Sequence, residues 1–205
     1  MRDRIDIILV YPDHFSAEFG DSIIQDVGHK DLQAKVVMEP PRILACAEWF
    51  VPGAIAAYIL KPYFEAFLTE AGKDHYQVLK STLAKLLRTA KLISVRTIVP
   101  STSKNKLNPS NTQSKAFSVY FQLKSGLTVK LMFDNNLPVE VWIAALEDMM
   151  VLVEDHYSTY PDDELTARLN TVYKKGDEDY FAIIDQETKT WKILNSSQVI
   201  QLGRL

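Results

Sequence analysis

The chain has 205 residues, 47% of them hydrophobic and 24% charged, the composition of an ordinary globular protein able to bury a sizeable core. A single cysteine, Cys46, excludes an internal disulfide framework and any multi-cysteine zinc centre. The net charge of −3 hides a segregation. Residues 1–72 hold 6 basic and 11 acidic side chains, residues 73–130 hold 11 basic and one acidic (Asp74), and residues 131–205 hold 6 basic and 14 acidic.

The elements follow in chain order. Ile5–Tyr11 (IDIILVY) reads as a buried strand, ended by Pro12-Asp13. Ser16 opens a predicted helix with Phe19, Ile23, Ile24 and Val27 at helical spacing, and Gly28 closes it. Leu32–Met38 is a second predicted strand before Pro40-Pro41, so the opening reads as a β-α-β unit. Its first turn, YPDHFSAEFGDS, has no glycine-rich phosphate cradle, and no Walker-type loop occurs elsewhere.

Ile43–Leu60 (ILACAEWFVPGAIAAYIL) is the longest apolar stretch, interrupted at Glu48, Pro52 and Gly53. Lys61, Glu65 and Thr69 then draw a thin polar stripe, and the periodicity predicts central helices buried by the rest of the protein over 43–68. Glu48 and the Pro-Gly break weigh against a transmembrane span. A membrane-active role for 43–68 stays as a competing expectation.

Lys73–Lys91 follows as an amphipathic helix with Tyr76, Leu79, Leu83, Leu86 and Leu87 on one side and Lys73, Lys80, Arg88 and Lys91 along another. Ile93–Val99 reads as a strand. Pro100–Lys115 is polar and without periodicity, a predicted flexible loop that carries Lys104 and Lys106. Ala116–Leu123 and Leu127–Phe133 alternate around Lys124-Ser125-Gly126, the clearest hairpin signal. A helix follows Pro138 to Tyr157, another begins at Pro161, and Tyr180–Ile184 with Thr190–Leu194 predicts a last hairpin. The class is α+β, as one domain over 1–205. The weaker division sets an α/β half, 1–99, against an antiparallel α+β half, 116–205.

Three of the four histidines sit in Asp-His-aromatic triplets: Asp13-His14-Phe15, Asp74-His75-Tyr76 and Asp155-His156-Tyr157. A carboxylate on an imidazole fixes its tautomer for base catalysis or metal ligation, but neighbours on a helix do not face each other. His14 and Glu18 share a helical spacing without the further ligands a metal needs, and no serine-hydrolase elbow occurs. Cys46 reads as a small buried hydrophobe, and Glu48 as a satisfied buried acid beside Lys61 or Arg42. The start, MRDRIDIILVYPDHF, is too charged for a secretory signal, which sets the cytoplasm as the expected compartment.

The sequence therefore predicts a non-catalytic interaction or adaptor protein, with no cofactor and no metal. It would bind an anionic partner through Lys73, Lys80, Arg88, Lys91, Lys104 and Lys106. Nucleic acid is disfavoured because the chain is acidic overall and offers no arginine-rich reading face. The expectation from another class is a small metal-dependent hydrolase or nuclease using Asp13 and His14 with His75 or His156.

Overall fold

The computed structural model describes residues 5–13, 33–40, 52–67, 72–95 and 112–202, together with 15, 18, 20, 21 and 25. It contains strands β1 (Ile7–Pro12), β2 (Ala34–Glu39) and β3 (Ile55–Ile59), then helices α1 (Lys61–Phe67) and α2 (Gly72–Lys91). The hairpin strands β4 (Phe117–Gln122) and β5 (Thr128–Met132) lead to α3 (Val139–Thr159) and α4 (Glu164–Thr171). The chain then adds β6 (Asp179–Ile184), β7 (Trp191–Leu194) and α5 (Ser196–Leu202).

All seven strands join one mixed sheet in the order β2-β1-β3-β4-β5-β6-β7. The pairs β1–β2, β3–β4 and β5–β6 are parallel, and those between them are antiparallel. The protein is therefore an α+β fold whose sheet runs through both halves of the chain, joined at β3–β4. The β4–β5 hairpin turns at Gly126, whose φ of 90° is a conformation glycine adopts without a Cβ clash.

Strand periodicity divides the sheet into two faces. Leu9, Ala57, Val119, Leu131 and Ala182 sit in one cross-strand row, and residues two apart along each strand extend it into the main core. Helices α1 to α4 cover this face. Phe64 of α1 stacks on Tyr157 of α3 at 4.7 Å, and Trp142 of α3 meets Phe133 at 5.3 Å. The other face carries Tyr58 stacked on Tyr120 at 4.4 Å, then Lys130, and a smaller cluster of Met132, Phe181 and Leu194 against Val199 of α5. The parallel pairs β3–β4 and β5–β6 point opposite ways, yet the helices connecting them share one face. Their crossovers therefore wind with opposite hands, so the usual right-handed rule is met by only one of them.

The apolar stretch corrects one expectation. Its second half is not helix: Ile55–Ile59 is the strand β3 at the middle of the sheet, and the helix begins only at Lys61. Pro52-Gly53 ends any preceding helix, and Ile55, Tyr58 and Ile59 are bulky residues suited to a pleated surface. The run is apolar throughout because residues on both faces are buried, Ile55, Ala57 and Ile59 on one and Ala56 on the other, which periodicity alone cannot tell from a core helix. Residues 43–51, with Cys46 and Glu48, lie outside the described residues, and Lys61 pairs instead with Glu65 at 3.6 Å. Ile93–Val95 is not strand, and the rest of that prediction and most of the helix between β1 and β2 also lie outside them.

Gly53 has a role the sequence does not show. Its N–H donates to Ser118 Oγ at 2.8 Å, and a Cβ on it would lie 2.8–2.9 Å from the Phe117 backbone. Backbone atoms held in a central strand cannot give way. Gly53→Ala should therefore cost about 2 kcal/mol through overpacking, read as a lower denaturant midpoint at unchanged m-value. A midpoint equal to wild type would mean that β3 enters the sheet along a different path.

Candidate functional site

The basic segment is built on α2. Leu79, Leu83, Leu86, Leu87 and Ala90 are buried beneath it. The opposite side presents Gln77, Ser81, Lys85 and Arg88, with Leu92 just beyond the helix, all exposed and spaced by three or four residues. Among the described side chains this outward row contains no carboxylate.

The cations named from the sequence divide between two surroundings. Arg88 lies on the outward row. Lys80 turns toward α3 and pairs with Glu147 at 3.0 Å, so one charge of the basic segment is met by one from the acidic third. Lys91 donates from Nζ to the carbonyls of Asn135 at 2.7 Å and Leu137 at 2.8 Å, and sits 4.3 Å above the Trp142 ring. Burial lowers its pKa, against the attraction of Asp134. Lys91 thus fastens the end of α2 to the turn that starts α3. The Lys73 side chain, and Lys104 and Lys106 altogether, lie outside the described residues.

Asp134 anchors the same corner. It is buried, accepts from Asn136 N at 2.8 Å and Gln186 Nε2 at 2.6 Å through its two carboxylate oxygens, and its carbonyl accepts from Trp142 Nε1 at 2.8 Å. Asp134 thus closes its own turn and joins it to the start of α3 and to the β6–β7 turn, the signature of a structural hub.

The histidine triplets do not converge on the described residues. Asp13 is exposed after β1, while His14 and the side chains of Asp74 and His75 lie outside them. Asp155 points to solvent and His156 is fully buried, as adjacent positions on one helix require. His156 finds a different carboxylate. Its Nδ1 donates to both oxygens of Asp163, each at 3.0 Å. Asp163 also caps α4, accepting from Thr166 N at 2.8 Å and Thr166 Oγ1 at 2.6 Å. Burial would raise the Asp163 pKa, but the Thr166 bonds and His156 outweigh it and hold the carboxyl below its ordinary value. Nε2 of His156 is enclosed without a hydrogen-bond partner, between the rings of Tyr157 and Tyr160. The dyad therefore ties α3 to α4.

No known protein family, curated protein or solved structure matches this chain. The site therefore rests on its own geometry. Among the described residues no group of three or more potential ligands could hold a metal ion, and no helix is long and apolar enough to cross a membrane.

Sequence reasoning missed Lys85 and Asp163. Lys85 was legible, since it lies four residues after Ser81 and three before Arg88 on the same helical face. Asp163 was legible only as a cap, because its pairing with His156 depends on the bend between α3 and α4.

Proposed function

We propose that this chain is a single-domain, non-catalytic interaction protein of the cytoplasm that docks an acidic protein partner on the outward face of α2. The observation that carries this reading is the outward row itself, where Lys85 and Arg88 lie exposed on one face of α2. Basic side chains on one exposed face attract and orient an anionic surface. Lys104 and Lys106, two of the three lysines of 100–115, extend the same charge along the chain. Lys80 and Lys91 contribute by holding the helix in place. The His156–Asp163 tie supports this reading over a hydrolase, since it gives the imidazole a structural use at a site closed to solvent.

The test is retention on immobilised poly-glutamate at about 0.15 M salt, where a surface charge acts over roughly 8 Å. Wild type should be retained. Reversal of four charges (Lys85→Glu, Arg88→Glu, Lys104→Glu, Lys106→Glu) should abolish retention with an unchanged circular dichroism spectrum. Retention of the folded quadruple variant would refute the assignment.

A further inference from the structure

The two edges of the sheet differ. At β7 the strand is four residues long, and Arg168 Nη1 donates to the outward carbonyl of Trp191 at 3.3 Å. A short edge with a cation laid across it is protected against further pairing. At β2 the strand is six residues long. Gln33 and Glu39 direct their carbonyls to β1, accepting from Asp6 N, Ile7 N and Asp13 N. Backbone groups alternate along a strand, so Ala34, Val36 and Met38 direct their N–H and C=O outward. Among the described residues no strand pairs with that side, and Met38 is 54% exposed.

From this edge we infer that two copies of the chain associate through β2, antiparallel about a two-fold axis, extending one sheet into the other. A two-fold places the same strand against itself, and the sequence of β2 selects the register. Setting Val36 against Met38 of the second copy joins two outward-facing residues, as the ladder requires. That register brings Val37 against its own copy and Lys35 against Glu39 twice, at non-hydrogen-bonded positions where side chains approach most closely. The neighbouring registers are worse. One sets Lys35 against Lys35, one sets Lys35 against Val37, and one sets Glu39 against Val37, each without the Lys35–Glu39 pair; in the chosen register Pro40, which has no N–H, falls only at the end of the ladder, opposite Ala34. Self-pairing is thus written into an alternation of charge, Lys35 with Glu39, centred on Val37.

An edge of this length buries less than a standard protein interface of about 1,600 Å², so a concentration-dependent dimer is expected. Sedimentation velocity across a dilution series of the full chain tests it. Wild type should shift from monomer to dimer as concentration rises. Val36→Pro removes one outward N–H and leaves the β1 ladder intact, and should abolish the dimer. Lys35→Glu should weaken it by roughly tenfold, and the exchange Lys35→Glu with Glu39→Lys should restore it. Val37→Cys should give a disulfide-linked dimer on mild oxidation, the two Cα atoms lying about 4.5 Å apart. The wild-type chain, with Cys46 alone, should not. A monomer at every concentration would overturn the inference, as would a dimer untouched by both Val36→Pro and the charge changes.

Discussion

Lys130→Met should make the protein more thermostable at pH 6, by about 10 °C in Tm. Lys130 lies on β5, facing away from the main helices, and is only 6% exposed. Its ammonium is 5.6 Å from the Tyr120 ring centroid. Burial pushes its pKa from 10.5 down to about 7, with Asp179 opposing the shift. A lysine depressed in the folded state disfavours folding wherever it must be charged. That cost is fully present below pH 7, fades as the pH rises toward 10.5, and is absent above it. A shift of this size corresponds to a cost on the order of 5 kcal/mol, and each kcal/mol moves Tm by about 2–4 °C in a chain of this length. Methionine fills the space without a charge to desolvate. Wild-type stability should rise between pH 7 and 10, while that of the Met variant stays level across the same interval. A Met variant less stable than wild type at pH 6 would show that the contacts of Lys130 outweigh the cost of burying its charge.

Asp163→Ala should have an effect of similar size and opposite sign. The substitution removes the cap of α4, worth about 1 kcal/mol, and takes the carboxylate from the buried Nδ1 of His156, leaving it Thr166 Oγ1 at 3.1 Å, a loss of about 2 kcal/mol more. A Tm lower by about 6–12 °C is expected. Asp163→Asn keeps an oxygen for Thr166 N and should recover part of the loss. The pH dependence follows from the depressed carboxyl. Its contribution is complete above the ordinary aspartate range near 3.8 and is lost as the pH falls through the lower folded value. Wild type should therefore weaken more steeply than the Ala variant below about pH 4. Parallel acid-unfolding curves would mean that His156 and Thr166 do not hold the carboxylate.

Local signals gave the hairpin at Gly126 and the long helices α2 and α3 to within a few residues, because turn chemistry and helical periodicity are near-neighbour effects. The stretch around Ile55 misled for a reason that lies outside it. A run apolar on every side satisfies a buried helix and a central strand alike, and only the pairing of β3 with β1 and β4 decides. The same limit governs the site. Lys80 and Lys91 look equivalent to Arg88 on a helical wheel, but Glu147 and the carbonyls of Asn135 and Leu137 come from 44 or more residues further along the chain. His156 was singled out for the acid beside it in sequence, whereas the acid beside it in space is Asp163.

The division of α2 into an outward docking face and an inward structural side is the central claim, and one comparison tests it most directly. Retention on poly-glutamate would be measured across a salt series for wild type, for Lys85→Glu/Arg88→Glu and for Lys80→Ala/Lys91→Ala, with Tm recorded for each. The outward pair should lose retention at unchanged Tm. The inward pair should keep retention while its Tm falls by several degrees, as lost bonds to Glu147, Asn135 and Leu137 require. Loss of retention in the inward pair, with the outward pair still bound, would contradict the account.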